Sequence, residues 1–357
     1  MKTFRGLVLI VLATSCFVLT SCDDEDNPPA GEFENGVFVV NEGNFQDADG
    51  SISFINPDDG SVKQDLFGSV NNGLALGDVV QSMTIDGDHA YVVVNNSNKI
   101  EVVNANTFVS EHTIQGLSLP RYFATLNGKG YVTEWVSFTD PGRVTTINLE
   151  DHTAGESITT DYGAENILAH DGLLYVSNSF SNTVSVVDPE EKEVIKTIEV
   201  GSSPGTLLLD SDDMIWVICG GGYDVEYNPL NDGKLVRLNP EKSEDESAVS
   251  VVKAIELGTN VTAKAATNKA MDSLFYYSGN SVYSINTSAN DASSSPLLTE
   301  GDATGFYGIG LDPQDGLLYL ADTKNFAGNG VVYRYTTSGK PVDNKVAGRG
   351  PNGFVFK

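Results

Sequence analysis

Positive charge is scarce in this chain. Its 357 residues hold 21 Lys and Arg against 49 Asp and Glu, a formal charge of −28. Such a surface repels nucleic-acid phosphates and anionic lipid headgroups, which excludes both as docking partners. Cysteine is scarce as well, with three in all. Cys16 and Cys22 belong to an N-terminal leader, so Cys219 stands alone and no internal disulfide is available. The fold must rest on its core. The four histidines, His89, His112, His152 and His170, fall in different loops or outer strands and share no ligand spacing. Beyond the leader, no stretch keeps a 3.6-residue apolar period for more than a turn or two, which excludes a helical fold. Catalytic signatures are missing too. There is no nucleophile elbow and no Cys-x-x-Cys pair, and Gly220-Gly221-Gly222 precedes no helix that would make it a phosphate cradle. Asp47-Ala48-Asp49-Gly50 falls short of a calcium loop and reads as a hairpin turn. The sequence therefore calls for no catalytic residue, no metal and no cofactor of its own.

What the chain does have is a repeated strand pattern. Asp171 to Asp210 holds four short apolar runs, LLYV, TVSVV, VIKTI and GTLLL, separated by turn residues at Asn178–Asn182, Asp188-Pro189 and Gly201–Gly205. Such runs read as antiparallel strands joined by hairpins. Four strands in about 40 residues form the unit of a β-propeller, which needs copies on either side to bury its faces. The copies are present. Strands like the one at Tyr175 recur around Phe38, Tyr91, Tyr131, Trp216, Phe275 and Tyr319. A second series follows them at 51–55, 99–103, 143–147, 183–187, 234–238, 281–285 and 331–335. The expectation is an all-β, seven-bladed propeller of four-stranded antiparallel blades over residues 36–357. Inner strands precede six of the aromatic strands, at 79–85, 121–126, 165–170, 205–210, 261–267 and 306–312. The strand at Phe38 has none. The spare copy is the C-terminal run Gly350 to Phe356, so the C-terminal strand is expected to complete the first blade and close the ring.

Residues 1–21 read as a signal peptide, with Lys2 and Arg5 before an apolar core at Leu7–Leu19 that is too short to span a membrane. Loss of this leader would take the charge to −30. The leader ends in Leu19-Thr20-Ser21-Cys22, which resembles the bacterial lipobox, in which the Cys is acylated. Acyl chains anchor at about 0.8 kcal/mol per buried methylene. Residues 22–35 read as a lipidated, acidic, flexible tether. Its Asp23-Asp24-Glu25-Asp26 run resembles the export signal of Bacteroidota lipoproteins. The implied place is the outer membrane, lipid-anchored and facing outward.

In a propeller, the loops after each aromatic strand and those entering each inner strand meet on one face. Five of the seven loops of the first kind carry aromatics: Phe45, then Trp135 and Phe138, Phe180, Tyr223 and Tyr227, and Phe326. The second kind adds Arg121, Tyr162, Tyr307 and Arg349, while Tyr122 and Phe306 lie close to strands and read as core. Turning the chain requires only Gly, Asn, Asp and Pro, so the aromatics point to a ligand platform. A large, flat, partly polar ligand or a sugar would suit it. An enzyme would need a His or carboxylate cluster at the channel, for example Glu165 and His170 with a further acid, and the sequence shows none.

The blade around Tyr175, YVSNSFSNTVSVVDPEEKEVIKTIEVGSSP, resembles the YVTN-type or YncE-like propeller repeat. NEGNF (41–45), LGDVVQSM (76–83), NNSNKIEVVN (95–104) and LPRYF (119–123) resemble a narrower group, the BtuG-like surface propeller lipoproteins of Bacteroidota. The resemblance implies a binding protein that captures a corrinoid such as vitamin B12, with cobalt arriving inside the ligand. It also implies a TonB-dependent outer-membrane transporter as partner. A glycan-binding or adhesion protein remains the alternative, ahead of a propeller lyase or hydrolase.

Overall fold

The computed structural model describes residues 31–240 and 249–357. The leader, Cys22 and the first part of the tether lie outside these residues. The described strands form seven four-stranded antiparallel sheets and one small two-stranded sheet. Blade four shows the plan. Ala164–His170, Leu173–Asn178, Thr183–Asp188 and Glu193–Glu199 pair in chain order from the channel outward. Its second strand is buried on both faces, which is why it reads as an unbroken apolar run. The outer strand is only partly covered and carries charge. Adjacent blades share their cores. Tyr175 packs with Ile215 and Val217 of the next blade, and Tyr91 stacks on Phe123 of its neighbour at 4.4 Å between ring centres. Burying one such side chain contributes roughly 1.5–3 kcal/mol.

The ring closes as expected. Val37–Asn41 pairs on one side with Ser51–Ile55 and on the other with Pro351–Phe356, placing Val37 opposite Phe356 and Val39 opposite Phe354. Gly36 and Lys357 exchange two backbone hydrogen bonds of 3.0 Å across the seam. Phe354 and Phe356 pack on Tyr319 of blade seven at 5.6 and 5.3 Å. Gly310 lies under both rings, where a Cβ would come within 3.0 Å of each.

Two expectations are corrected. The propeller begins before residue 36. Phe33 is buried edge-on against Phe54 at 5.1 Å, and its N–H donates to Asn106. An isolated Phe in a polar run gains by burying its ring, so the tether ends earlier than composition suggests. The inner strand of blade six is shorter than 261–267: it runs in register only over Ala265–Thr267, with one further bond ahead of it, from Thr262 N–H to the Tyr277 carbonyl at 3.2 Å. Between these points the backbone swings outward, and the Ala263 carbonyl accepts from Thr206 N–H of blade five at 2.9 Å.

The inner strands share one irregularity. Near their upper ends, where the aromatic loops gather, the ladder slips register in six blades. The bulged residues include Gln81, Arg121, Glu165, Thr206, Tyr307 and Asn352. Lys264 holds the matching place in blade six, just ahead of its first paired residue. Bulges re-aim side chains, and here they gather polar groups at the mouth of the channel.

Candidate ligand-binding face

The mouth is built on charge. Arg121 Nε and Nη2 donate to the two oxygens of Glu165, both at 2.8 Å, and Nη1 donates to Gln81 at 2.6 Å. The pair is 12% and 15% exposed, so its two-pronged geometry is little screened by water. The guanidinium lies 3.9 Å from the centre of the Trp135 ring. Across the mouth, Lys264 Nζ donates to the carbonyls of Tyr307 and Asn352, each at 2.9 Å, and stands 4.7 Å from the centre of the Tyr307 ring. Burial pulls Lys264 down to about 8, against the opposing pull of the Glu42 and Glu165 carboxylates. Burial, and after it the charge of Glu42, push the Tyr307 hydroxyl far up. Burial and Glu165 raise Tyr122 to about 12. A recess of about 200 Å³ opens among Arg121, Trp135, Glu165, Thr206 and Lys264. Two polar atoms near it, Trp135 Nε1 and Asn352 Oδ1, are buried without a hydrogen-bond partner.

Beside the mouth stands an aromatic shelf. Trp135 lies 4.9 Å from Phe180 and 5.7 Å from Phe138, and Phe138 lies 6.1 Å from Phe180 with their planes 26° apart. Phe138 is 72% exposed and Phe180 44%. The loop carrying Trp135 and Phe138 is fixed at its root. Glu134 is wholly buried and accepts from both ends of the Arg143 guanidinium, from Thr145 and from the Ser118 N–H. Ser137 Oγ then caps the tip by accepting from the Thr139 and Asp140 N–H groups at 3.0 and 2.9 Å. Tyr162 joins the same corner, since its carbonyl accepts from Phe180 N–H at 3.2 Å. Phe180 lies flat on Gly163, where a Cβ would approach the ring to 2.7 Å.

Five of the expected residues, Arg121, Trp135, Phe138, Tyr162 and Phe180, therefore come together. The others form separate groups. Tyr223 and Tyr227 ride on a projecting hairpin of Gly222–Tyr223 and Pro229–Asn231, together with exposed Val225 and Leu230. Tyr307 meets Phe326 edge-on at 5.7 Å. Arg349 is committed to holding loops, donating to the Phe326 carbonyl at 2.7 Å and to Asp47 and Asp49 at 2.9 and 3.1 Å. Phe45 stands exposed in the loop that Arg349 pins. Phe306 is core, as expected.

Glu42, Gln81, Lys264 and Asn352 were not singled out from the sequence. For Gln81, Lys264 and Asn352 the signal is a polar residue near the start of an otherwise apolar inner strand, legible once the strands are aligned on their bulges, whereas Glu42 directly follows Val37–Asn41. The cluster sought for an enzyme does not assemble. Glu165 is held by Arg121 at the upper end of its strand, and His170 sits at the lower end beside Asp171. The histidines do not stay apart, however. His152 meets His89 at 5.1 Å and His112 at 5.6 Å on the lower face, because the turn of blade three reaches over blade two. Among the described residues, no group of three His, Cys, Asp or Glu side chains could hold a metal ion.

These features define a seven-bladed propeller whose channel opens, on one face, into a charged mouth rimmed by aromatic side chains. The chain belongs to the DUF5074 family, a domain of unknown function whose model matches residues 35–348. No curated protein matches it. Among solved structures it is similar to a quinonprotein alcohol dehydrogenase-like protein from Bacteroides thetaiotaomicron. That match has 14% identity and a TM-score of 0.69, covering 91% of this chain and 78% of the other. It is also similar to the periplasmic gluconolactonase of Pseudomonas aeruginosa, at 13% identity and a TM-score of 0.66, over 90% of this chain and 98% of the other. The hydrazine synthase of Kuenenia stuttgartiensis matches at 15% identity and a TM-score of 0.63, over 80% and 89%. At these identities the likeness carries the fold alone.

Proposed function

We propose that this protein is a cell-surface binding lipoprotein that captures a corrinoid at the channel mouth and passes it to a TonB-dependent outer-membrane transporter. The observation that carries this reading is the shelf of exposed Phe138 and Phe180 against half-buried Trp135, standing directly beside a recessed polar mouth. A corrin is a broad macrocycle edged with amides. Its faces suit aromatic rings, and its edge suits Arg121, Glu165, Asn166 and Thr206. Binding is favoured over turnover because both oxygens of Glu165 are already engaged by Arg121. The near-parallel Phe138 and Phe180 rings also suit a sugar, which keeps glycan capture as the second reading.

The test is calorimetric titration of the domain from Gly31 onward with cyanocobalamin. Tight one-to-one binding supports the reading. No heat and no thermal shift at high ligand concentration would remove the corrinoid and leave glycans to be screened on the same face.

A further inference from the structure

The mouth holds four charged side chains, and three of them have close partners. Arg121 and Glu165 are locked together. Glu42 lies against Tyr307, whose hydroxyl it engages. Lys264 differs. Its ammonium lies among Glu42 of blade one, Arg121 and Tyr122 of blade three, Glu165 of blade four and the Tyr307 ring of blade seven, and its only hydrogen-bond partners among the described residues are two backbone carbonyls. Those bonds occupy two of its three N–H groups. Lys264 keeps part of its surface open to the recess, yet it is withdrawn from bulk water with no anion in hydrogen-bond contact, which weakens its hold on the proton. The ammonium also lines the recess that Arg121, Trp135 and Glu165 share. On a chain carrying −28, a cation set at the bottom of the one mouth rimmed by the shelf selects the charge of what enters.

We infer that Lys264 is the anion-pairing residue of this site, and that the ligand carries one negatively charged group, a carboxylate or phosphodiester, which enters the recess and meets the Lys264 ammonium. This deepens the binding reading above and rests on it. The rival is a purely structural Lys264, a strut tying blade six to the carbonyls of blades one and seven.

Two properties follow. The ligand's charge restores the proton affinity that burial removes, so binding favours protonated Lys264 and weakens as pH rises past about 8. The preference for the anion also disappears when the ammonium is replaced. Lys264→Met keeps the length and apolar stem and removes only the charge, so the folded variant is expected to form.

The experiment titrates cyanocobalamin, which carries a phosphodiester, and dicyanocobinamide, which lacks it, into the wild-type domain and Lys264→Met at pH 7 and 9.5. Expected for wild type is a loss of affinity for cyanocobalamin of about tenfold or more over this range, with dicyanocobinamide unchanged. Expected for Lys264→Met is loss of both the pH dependence and the preference. If both corrinoids bind alike at either pH, the corrinoid reading stands and the anion-pairing role is overturned. A Lys264→Met domain that melts lower yet keeps the preference shows a strut only, with the same consequence. If neither corrinoid binds, the ligand reading fails, and gluconate against sorbitol at matched ionic strength becomes the probe. Stabilisation by gluconate alone, at pH 7 and lost in Lys264→Met, supports the role, and any other result overturns it.

Discussion

Two ring clusters meet at blade three, one on the upper face shared with blade four and one on the lower face shared with blade two, and they differ in kind. At the upper end, Phe138 and Phe180 are exposed beside half-buried Trp135, the group rooted on a buried Glu134 and braced by the Arg121–Glu165 pair. At the lower end, His89, His112 and His152 close over Tyr91, which stacks on Phe123 within the core. The connections explain the difference. Lower turns such as Asn127-Gly128 and Asp171-Gly172 are two-residue hairpins with positive φ at both positions, a form set by strand twist that leaves little room for other chemistry. The upper connections are longer in every blade but the sixth, where Gly279-Asn280 makes a two-residue turn, so they are where a ligand platform can be assembled. The upper end is thus built to meet something, while the lower end is built to close the ladder.

The largest break removes the frame both ends share. Deleting residues 351–357 takes away the inner strand of blade one together with Phe354 and Phe356, each packed on Tyr319. Loss of two such rings plus a strand's ladder exceeds the roughly 5–15 kcal/mol that holds a domain folded. Calorimetry should then show no cooperative melting, and neither end should survive. A truncated domain that still melts cooperatively would mean that the ring does not need its seam. A smaller cut separates the ends. Phe138→Ala with Phe180→Ala should weaken binding of cyanocobalamin by about ten- to a hundredfold. The melting temperature should fall by only a few degrees, since Phe138 is largely in water and Phe180 close to half so. A large loss of stability with affinity intact would make the shelf structural, and the two ends alike.

The frame was far more legible in the sequence than either end. Apolar runs and turn residues repeat because every blade solves the same packing problem, so Tyr175 and its six relatives reveal the ring and its seam. Trp135, Phe138 and Phe180 were legible as a set because rings in a loop have no part in turning the chain. Their union with Arg121 and Glu165 was not, because it depends on bulges that leave no fixed spacing. Lys264 was hidden for the same reason, lying in a stretch that reads as strand but swings out of the ladder between Thr262 and Ala265. The histidine cluster was hidden because it joins strands of blade two to a turn of blade three, and spacing along the chain carries no trace of contacts between blades.

The smallest prediction asks whether the two ends are coupled. Burial, then the neighbouring His89 and His112, lower the proton affinity of His152, with Glu111 and Asp151 opposing them. A base whose folded value lies below its unfolded one binds fewer protons when folded. Its contribution is therefore complete above about pH 6.5 and declines as pH falls towards the folded value. Between pH 7.5 and 5.5 the melting temperature should drop by about 2 °C on this account, the size of a fraction of a kcal/mol in a domain this large. His152→Asn should flatten that dependence, and Asn tolerates the left-handed backbone that His152 adopts at φ 54°. Affinity at the upper face should not follow, because its sensitive group, Lys264, titrates on the alkaline side of neutrality. Should ligand affinity instead fall in step with the acid loss of stability, and recover in His152→Asn, the lower cluster would be reaching the mouth through the strands they share.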